Sequence, residues 1–428
     1  MSIYLKNARY INYQTLEFID TNIEVYEGVD GKIKFINTFP DSLTSSDIII
    51  DCTGKLVTHS FINAHHHVYS AMSRGMNAPK VTPSNFYEIL KYVWWTLDKC
   101  LDEEMIKYSA LATAISCAKN GVTFVIDHHS SPFRINNSLE IIAEAFDNVG
   151  ISHLLCYEIS DRDGIDKAEA GLDETKQYIS KRQGLVGLHA SFTVSDETLH
   201  NAVDLATELN SGIHIHVAEG EYDQDYTMEI YGKRVVERLY EAGILNFSKT
   251  ILGHCLHIDN KERELIARSP SWVVQNPESN MNNNVGFFNS ERLSDRIMLG
   301  TDGMHSDMIR SAKAAFYVGQ NFDKVPGSMT YLTAYKRLRK VHEYIFQNGF
   351  AGDGENNLVV FDYDTPTPIN KSNFPGHFIF GLESHHIEHV ISNGKLILKN
   401  KKLINVDENK ILKESQKLAT KLWELMSK

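Results

Sequence analysis

The sequence is poor in the features that mark secreted, disulfide-rich and membrane-spanning proteins. Its five cysteines are scattered and without CxxC spacing, which is typical of reduced thiols and not of a disulfide framework or a zinc ribbon. No stretch approaches the roughly 18 apolar residues of a membrane span. The start, MSIYLKNARY, has no continuous apolar segment of the signal-peptide type. We therefore expect a cytoplasmic protein that has no membrane partner.

Positive charge is also in short supply. The chain carries 43 Lys and Arg against 55 Asp and Glu, a formal net charge of -12. Because an acidic surface has nothing to neutralise on DNA, RNA or an anionic membrane, nucleic acid is not an expected partner. No GxGxxG motif follows a predicted strand, which argues against an open dinucleotide-binding sheet.

From about residue 60, short apolar segments alternate with polar, helix-like segments. The eight strand candidates are FINAHHH, TFVIDHH, SHLLCYEIS, LVGLHASF, GIHIHVAE, TILGHCLHI, SWVVQNP and IMLGTDG. Between the first two, DEEMIKYSALATAISCAKNG opens with acidic residues and stops at Gly121, as expected of a helix whose ends suit its dipole. Eight strands joined by crossovers predict an α/β protein with a (β/α)8 TIM-type barrel.

Strand patterns at both ends of the chain predict a second, smaller unit. The first 57 residues and the segment after residue 357 consist of short apolar stretches and turns. The chain closes with the amphipathic helix ILKESQKLATKLWELM. We predict a small β-sandwich domain, with this helix, built from residues 1–57 and 358–428, beside a barrel formed by residues 58–357.

Metal-capable side chains collect at the C-terminal ends of the predicted barrel strands, where barrel enzymes place their active sites. Residues i and i+2 share one face of a strand, so His65 and His67 can contact one ion while His66 points away. Further candidates close the later strands: His214, His216, Glu219, His254 and Asp302. An imidazole pair, a third imidazole and a carboxylate suit zinc or ferrous iron with one position left open for water.

Each of these residues taken alone has a structural alternative. A single histidine on an apolar strand is more often a satisfied core residue, and an Asp beside Gly is often a turn cap. The ordered series HxH, HxxE, GHC and TDG, each at the end of a predicted strand, is what favours a metal site.

Longer motifs resemble a known family. FINAHHHVYSAMSRGM, GLHASFTVSDETL, HIHVAEGEYD, GHCLHI, NPESNMNNNVG and GTDGMHSDM resemble the amidohydrolase superfamily, in its aminohydrolase branch of deaminases and chlorohydrolases. Within that branch the chain is most similar to the SsnA group of aminohydrolases. The resemblance runs over nearly the whole chain and implies a homodimer. One departure is THSF, with His59, in place of the family's usual Pro-Gly before the first strand.

The resemblance implies roles for individual positions. The implied metal ligands are His65, His67, His216 and Asp302. Glu219 matches the acid that shuttles protons, and His254 matches the residue that orients or activates water. His189 matches a substrate contact. Asp302, which would touch both the metal and the water, could in addition accept the water's proton as a catalytic base. Two-metal members bridge their ions with a modified lysine in strand four. LVGLHASF has none, so we expect one divalent ion, Zn²⁺ with Fe²⁺ as the alternative.

Further substrate contacts are predicted from position and chemistry, and each has an alternative. Arg74 would pair with an anionic or carbonyl edge, or else form a surface salt bridge. Glu278 and Asn280 in NPESN would bind an amidine edge, or else cap the loop. His128, at the end of the second strand, would line the pocket or support the metal ligands from behind.

The predicted function is hydrolytic deamination of a nitrogen heterocycle of the purine, pterin or pyrimidine type. The enzyme would be a metal-dependent hydrolase of non-peptide C–N bonds, and a small heterocycle its partner. Chloride displacement and opening of a cyclic amide would use the same site and remain alternatives. A binding protein without catalysis is a more remote alternative, since every expected acid, base and ligand is present.

Overall fold

The structure is a computed structural model that describes residues 2–40, 44, 46–322 and 328–428. The strands of these residues are, in chain order, β1 Ile3–Ile11, β2 Phe18–Val25, β3 Ile33–Ile36, β4 Ile48–Asp51, β5 Leu56–His59, β6 Phe61–His66, β7 Val122–His129, β8 Ser152–Ile159, β9 Val186–Ala190, β10 Ile213–Val217, β11 Ile251–His254, β12 Trp272–Gln275, β13 Ile297–Leu299, β14 Leu358–Phe361, β15 Ile387–Ser392, β16 Lys395–Lys399 and β17 Lys402–Leu403.

Helices fill most of the connections between the barrel strands. They are α1 Phe86–Ile89, α2 Trp95–Leu97, α3 Glu103–Lys119, α4 Ser138–Val149, α5 Ile165–Ile179, α6 Asp196–Glu208, α7 Glu221–Tyr231, α8 Val235–Glu241, α9 Asn260–Arg268, α10 Pro277–Asn282, α11 Met308–Phe322, α12 Tyr331–Gln347, α13 Phe374–Phe380 and α14 Glu408–Met426. A π-helical turn, Leu90–Trp94, joins α1 to α2. No helix within the described ranges is long and apolar enough to cross a membrane.

The strands β6 to β13 form a parallel sheet in which each strand pairs with the next along the chain. The sheet closes on itself, because the backbone N–H groups of Thr301 and Asp302 donate to the carbonyl of His65 over 3.1 and 3.0 Å. Every residue of β6 and β7 is buried, as expected where side chains fill the barrel and helices cover it. The predicted barrel and its eight strands are confirmed.

The helix predicted before the second barrel strand is α3. The Asp102 side chain accepts a hydrogen bond from the N–H of Met105 over 2.9 Å and caps the first turn. Gly121 follows the last turn with φ of +71°, a conformation that costs glycine least. A Cβ at Gly121 would lie 2.9 Å from Cγ2 of Val359, so the same glycine lets β14 approach the barrel.

The two chain ends meet in one mixed, hydrogen-bonded sheet beside the barrel. Its strands, in sheet order, are β17, β16, β15, β14, β5, β1, β2 and β3, with β4 also paired to β1. The contact between the two ends is the antiparallel pair β5–β14. A second unit built from both ends is therefore confirmed, while its boundaries at residues 57/58 and 357/358 stay a prediction.

A buried polar cluster joins this sheet to the barrel and accounts for the unusual THSF sequence. Asp353 contacts Nε2 of His59 at 2.9 Å and Nδ1 of His342 at 2.8 Å. The ring of Tyr13 stacks on His59 with the centroids 4.9 Å apart. These side chains come from the N-terminal sheet, from α12 and from the segment before β14, so the cluster ties three parts of the chain together.

Candidate active site

The four predicted metal ligands converge at the C-terminal mouth of the barrel. Nε2 of His67 lies 3.1 Å from Oδ1 of Asp302 and 3.2 Å from Nε2 of His216. Nε2 of His65 lies 3.6 Å from the same Asp302 oxygen. All four side chains are buried. Strand periodicity brings the first two together, and His66 turns the other way, with Nε2 3.0 Å from Oγ of Ser306.

Strained backbone conformations help to orient the side chains at the ends of the later barrel strands. Ala218, His254 and Asp302 have positive φ angles of 44°, 65° and 54°, a region that L-residues occupy rarely. Such conformations cost about 1 kcal/mol or more each and persist where the surrounding fold enforces them. They all follow or end barrel strands, at the edge where the metal-capable groups meet.

Backbone carbonyls fix the orientation of two of the imidazoles. Nδ1 of His67 donates to the carbonyl of His128 over 2.6 Å, and Nδ1 of His216 donates to the carbonyl of His189 over 2.8 Å. With Nδ1 donating to a carbonyl, the neutral form of each ring carries its lone pair on Nε2, and these two atoms face each other. Two lone pairs 3.2 Å apart favour a cation between them.

His214 orients the third imidazole. Its Nε2 lies 2.9 Å from Nδ1 of His65, and both rings are completely buried. Nε2 of His65 then points at Asp302 without a hydrogen-bond partner among the described residues. A buried ring nitrogen with no partner, beside a carboxylate and two further imidazoles, fits one divalent ion with N and O ligands.

Glu219 and His254 lie beside this cluster. Oε2 of Glu219 is 3.4 Å from Nε2 of His254. Burial raises the pKa of Glu219 well above its usual range, and the charge of Asp302 adds to the effect. The Asn280 amide donates to Nδ1 of His254 over 2.8 Å, which leaves the ring proton on Nε2, facing Glu219. Burial lowers the pKa of His254 to about 4.

Asp302 is held as an anion. Burial alone would raise its pKa, but the contacts with His65 and His67 outweigh burial and hold the pKa well below its usual range. Oδ2 accepts a hydrogen bond from Ser279 over 2.6 Å, and Oδ1 accepts one from the N–H of Gly303 over 2.9 Å.

A cavity opens above these groups. Its polar wall includes Glu158, Arg162, His189 and Glu219. Aromatic and aliphatic side chains form another part of its lining: Tyr69, Phe86, Leu90, Trp94 and Trp95. An apolar wall facing a few converging polar groups is the usual form of a site for a planar organic ligand.

The structure separates the predicted substrate contacts. His189 lines the cavity, whereas Arg74 is exposed beyond the 3-10 turn that follows β6. Glu278 pairs with Nε2 of His305 at 2.6 Å and with Nε of Arg310 at 2.7 Å. Roles for Arg74 and Glu278 toward a substrate stay predictions.

Asn280 and His128 lie behind the cavity wall. Asn280 supports His254, as described above. Nε2 of His128 lies 3.1 Å from the carbonyl of Leu188 and 3.2 Å from that of His214, and the ring is completely buried. Neither residue is among those that line the cavity in the described part of the chain, and direct substrate contact stays a prediction for both.

Sequence reasoning missed Glu158, Arg162, Ser279 and the orienting role of His214. Glu158 ends the third barrel strand in CYEIS, so the strand-end rule that located the other residues also applied to it. His214 shares a strand face with His216, which was the available signal for its position inside the barrel.

Comparisons with known proteins agree with this architecture. Residues 56–341 match the model of the amidohydrolase family. The chain is 29% identical over 419 residues to the 5'-deoxyadenosine deaminase of Methanopyrus kandleri, covering 92% of this chain and 93% of that protein. It is 27% identical over 420 residues to the 5-methylthioadenosine/S-adenosylhomocysteine deaminase of Thermococcus sibiricus, with 93% and 94% covered.

The fold is shared with solved structures of low sequence identity. The crystal structure of an adenosine deaminase from Xanthomonas campestris with bound zinc aligns with a TM-score of 0.82 and 18% identity, covering 98% of each chain. At this identity the likeness concerns the fold. The family model, however, covers well over half of the sequence, from the last strand before the barrel into α12. The chain therefore belongs to the amidohydrolase family.

Proposed function

We propose that this amidohydrolase removes an amino group from a nitrogen heterocycle of the purine, pterin or pyrimidine type by hydrolysis. The observation that carries the proposal is the position of Glu219. Its carboxyl, whose pKa is raised and whose side chain is 11% exposed, stands 3.4 Å from His254, on the cavity that Asp302 also lines. A carboxyl whose pKa is raised by burial holds its proton more tightly and can deliver it to a ring nitrogen as that nitrogen gains electron density. The deaminase relatives support the same reaction class.

His65, His67, His216 and Asp302 would hold one divalent ion, for which we propose Zn²⁺, with Fe²⁺ as the alternative. When bound, such an ion lowers the pKa of water to about 7 and so supplies a nucleophile at neutral pH.

The remaining steps belong to side chains of this protein. Asp302 accepts the proton of the attacking water, since its carboxylate is held ionised. Nε2–H of His254 donates a hydrogen bond to the incoming oxygen, and Glu219 protonates the ring nitrogen next to the attacked carbon. The proton taken up by Asp302 then passes to the amino group, and the C–N bond breaks with loss of ammonia. As the carbonyl forms, the proton of the added hydroxyl group returns to Glu219. Acid–base assistance of this kind is typically worth about 10²–10⁴ in rate.

Ammonia release tests the proposal. The zinc-loaded protein is incubated with 5'-deoxyadenosine, adenine, guanine, cytosine and pterin, and ammonia is measured against Glu219→Gln as the matched inactive control. We expect release from at least one compound by the wild type. No release from any compound, by protein shown to contain zinc, would contradict deamination.

The same assay separates the alternatives. Chloride release from a chlorinated triazine, or opening of a cyclic amide, without any ammonia from the aminated compounds would favour another leaving group at this site. Protein purified without chelator that contains no zinc, iron or manganese would favour a binding protein without catalysis. The homodimer and the cytoplasmic location stay predictions; light scattering tests the first and cell fractionation the second.

A further inference from the structure

Glu158 is a carboxylate on the cavity wall that the proposed mechanism does not use. It lies near the end of β8 and is 5% exposed, and its side chain lines the same cavity as Glu219. One of its oxygens lies within 4.8 Å of a ring nitrogen of His189 and of a ring nitrogen of His216. Glu158 therefore stands next to the centre where the heterocycle would react.

Two basic side chains lie near the carboxylate of Glu158, but the described residues leave most of its hydrogen-bonding capacity free. Nδ1 of His128 lies 3.3 Å from Oε2 but is not aligned as a hydrogen bond, and Nη1 of Arg162 is 3.9 Å from Oε1. An ionised carboxylate can accept about four hydrogen bonds, and acceptor positions left open toward a cavity are usually satisfied by what binds there.

Arg162 only partly offsets the charge of Glu158, because other carboxylates engage the guanidinium. Its Nη2 contacts Asp98, and its Nε donates to Oδ2 of Asp163 over 3.0 Å. Lys99 also pairs with Asp163, at 2.6 Å. Arg162 is thus shared among three carboxylates, so this wall of the cavity does not present a free cation for an anionic ligand.

His189 presents a second acceptor on the neighbouring strand. The hydroxyl of Thr193 donates to the carbonyl of Ala190 over 3.1 Å, so its oxygen accepts the Nδ1 proton of His189 at 2.7 Å. The other ring nitrogen, Nε2, then carries a lone pair. Glu158 pairs in the sheet with Gly187, two residues before His189, so the two acceptors belong to adjacent strands.

We propose that Glu158, together with Nε2 of His189, accepts hydrogen bonds from a donor-bearing edge of the substrate ring. The substrate class is then a heterocycle that carries ring N–H or NH₂ donors in addition to the amino group that leaves. This inference rests on the proposed function, because Glu158 would bind a second edge of the same ring whose nitrogen Glu219 would protonate. Glu158 is in this sense a specificity residue.

Two pairs of ring compounds test the inference: 2,6-diaminopurine against adenine, and 2,4-diaminopyrimidine against 4-aminopyrimidine. The members of each pair differ by one amino group. Equilibrium binding to the zinc-loaded enzyme is measured by calorimetry. We expect the diamino member of at least one pair to bind about tenfold to a hundredfold more tightly, as one hydrogen bond to a charged group provides. Equal affinities in both pairs would overturn the inference without any variant.

The variant arm uses Glu158→Gln, which keeps the size of the side chain and removes its charge. We expect it to lose the preference for the diamino member. Asp163→Asn is the matched control, since Asp163 also contacts Arg162 but does not line the described cavity, and it should keep the preference. Thermal unfolding of both variants establishes that they fold. A preference that survives Glu158→Gln would overturn the assignment.

A third pair distinguishes a ring edge from a sugar diol, which also donates hydrogen bonds. If Glu158→Gln loses only a preference for 5'-deoxyadenosine over 2',5'-dideoxyadenosine, the ring-edge assignment is wrong. Ammonia is scored separately from binding. A Glu158-dependent preference without ammonia supports the edge and counts against deamination, while ammonia without such a preference supports deamination and overturns the edge.

Discussion

At the scale of single residues, the site depends on groups that never touch a substrate. The ring of His65 is oriented by His214, and that of His254 by Asn280. Partners of this kind fix which nitrogen of an imidazole is free, and their loss commonly weakens metal binding.

Replacing His214 by Phe removes the contact at 2.9 Å with Nδ1 of His65. Because the free His65 ring can then rotate away from Asp302, we expect zinc affinity to fall about 10–100-fold. Competition with a chromogenic chelator measures the affinity. His200→Phe is the control, because His200 is exposed on α6 and should leave the affinity unchanged. An unaltered zinc affinity in His214→Phe would show that the contact with His214 is not needed to orient the His65 ring.

Replacing Glu219 by Gln removes the acidic proton while it preserves the shape of the side chain. We expect the rate of ammonia release to fall about 10²–10⁴-fold, with the zinc content unchanged, because Glu219 is not among the proposed ligands. Glu221→Gln is the control, since that side chain is 83% exposed. A loss of zinc in Glu219→Gln would instead make Glu219 part of the metal centre.

At the scale of elements, the contact that closes the barrel lies between its last strand, β13, and its first strand, β6. Gly300 follows β13 and lies against the strand that carries His65. A Cβ at this position would lie 2.5 Å from Oδ1 of Asn276 and 2.8 Å from Cβ of His65. Closure of the barrel and placement of the first ligand thus share one backbone contact.

Gly300→Ala should therefore cost stability and metal affinity together. We expect the free energy of unfolding to fall by about 1–3 kcal/mol, as in overpacked cores, and zinc to bind more weakly. Denaturant titration measures the first and chelator competition the second. Gly376→Ala is the control, because its Cβ would meet only an ordinary contact at 3.8 Å within helix α13. If Gly300→Ala keeps the wild-type free energy of unfolding and zinc affinity, the contact between β13 and β6 accommodates a Cβ without cost.

At the scale of the whole molecule, the cluster of His59, His342 and Asp353 couples the chain-end sheet to the barrel. Burial lowers the pKa of His342 to about 4. Burial alone would raise the pKa of Asp353, but the two imidazoles beside its oxygens hold it below its usual range. Both groups thus bind fewer protons in the folded protein than in the unfolded chain.

Stability should accordingly fall on acidification. The contribution of His342 is fully present above its unfolded pKa of about 6.5 and is lost as the pH falls toward 4. His342→Gln cannot take up this proton. Between pH 6.5 and 4 its free energy of unfolding should therefore change less steeply than that of the wild type, by up to about 1.4 kcal/mol per pH unit. Equal slopes in denaturant titrations at several pH values would contradict this account.

Local sequence patterns were sufficient to predict the fold class and the family. The prediction of a barrel and a hydrolase of the amidohydrolase superfamily is confirmed by the closed eight-stranded sheet and by the family match over residues 56–341. The convergence of His65, His67, His216 and Asp302 was also predictable, since parallel strands of one barrel end at one mouth whatever the loops do.

The sequence alone thus determined which strands form, which of their faces carry ligands and at which end of the barrel they meet, because period-two alternation and strand order are local properties. Only the tertiary structure decided that His214 orients His65, that Asp353 joins His59 to His342, and that Glu278 turns to Arg310. These partners come from different elements, and strand register and packing set their approach. A local pattern therefore cannot specify them.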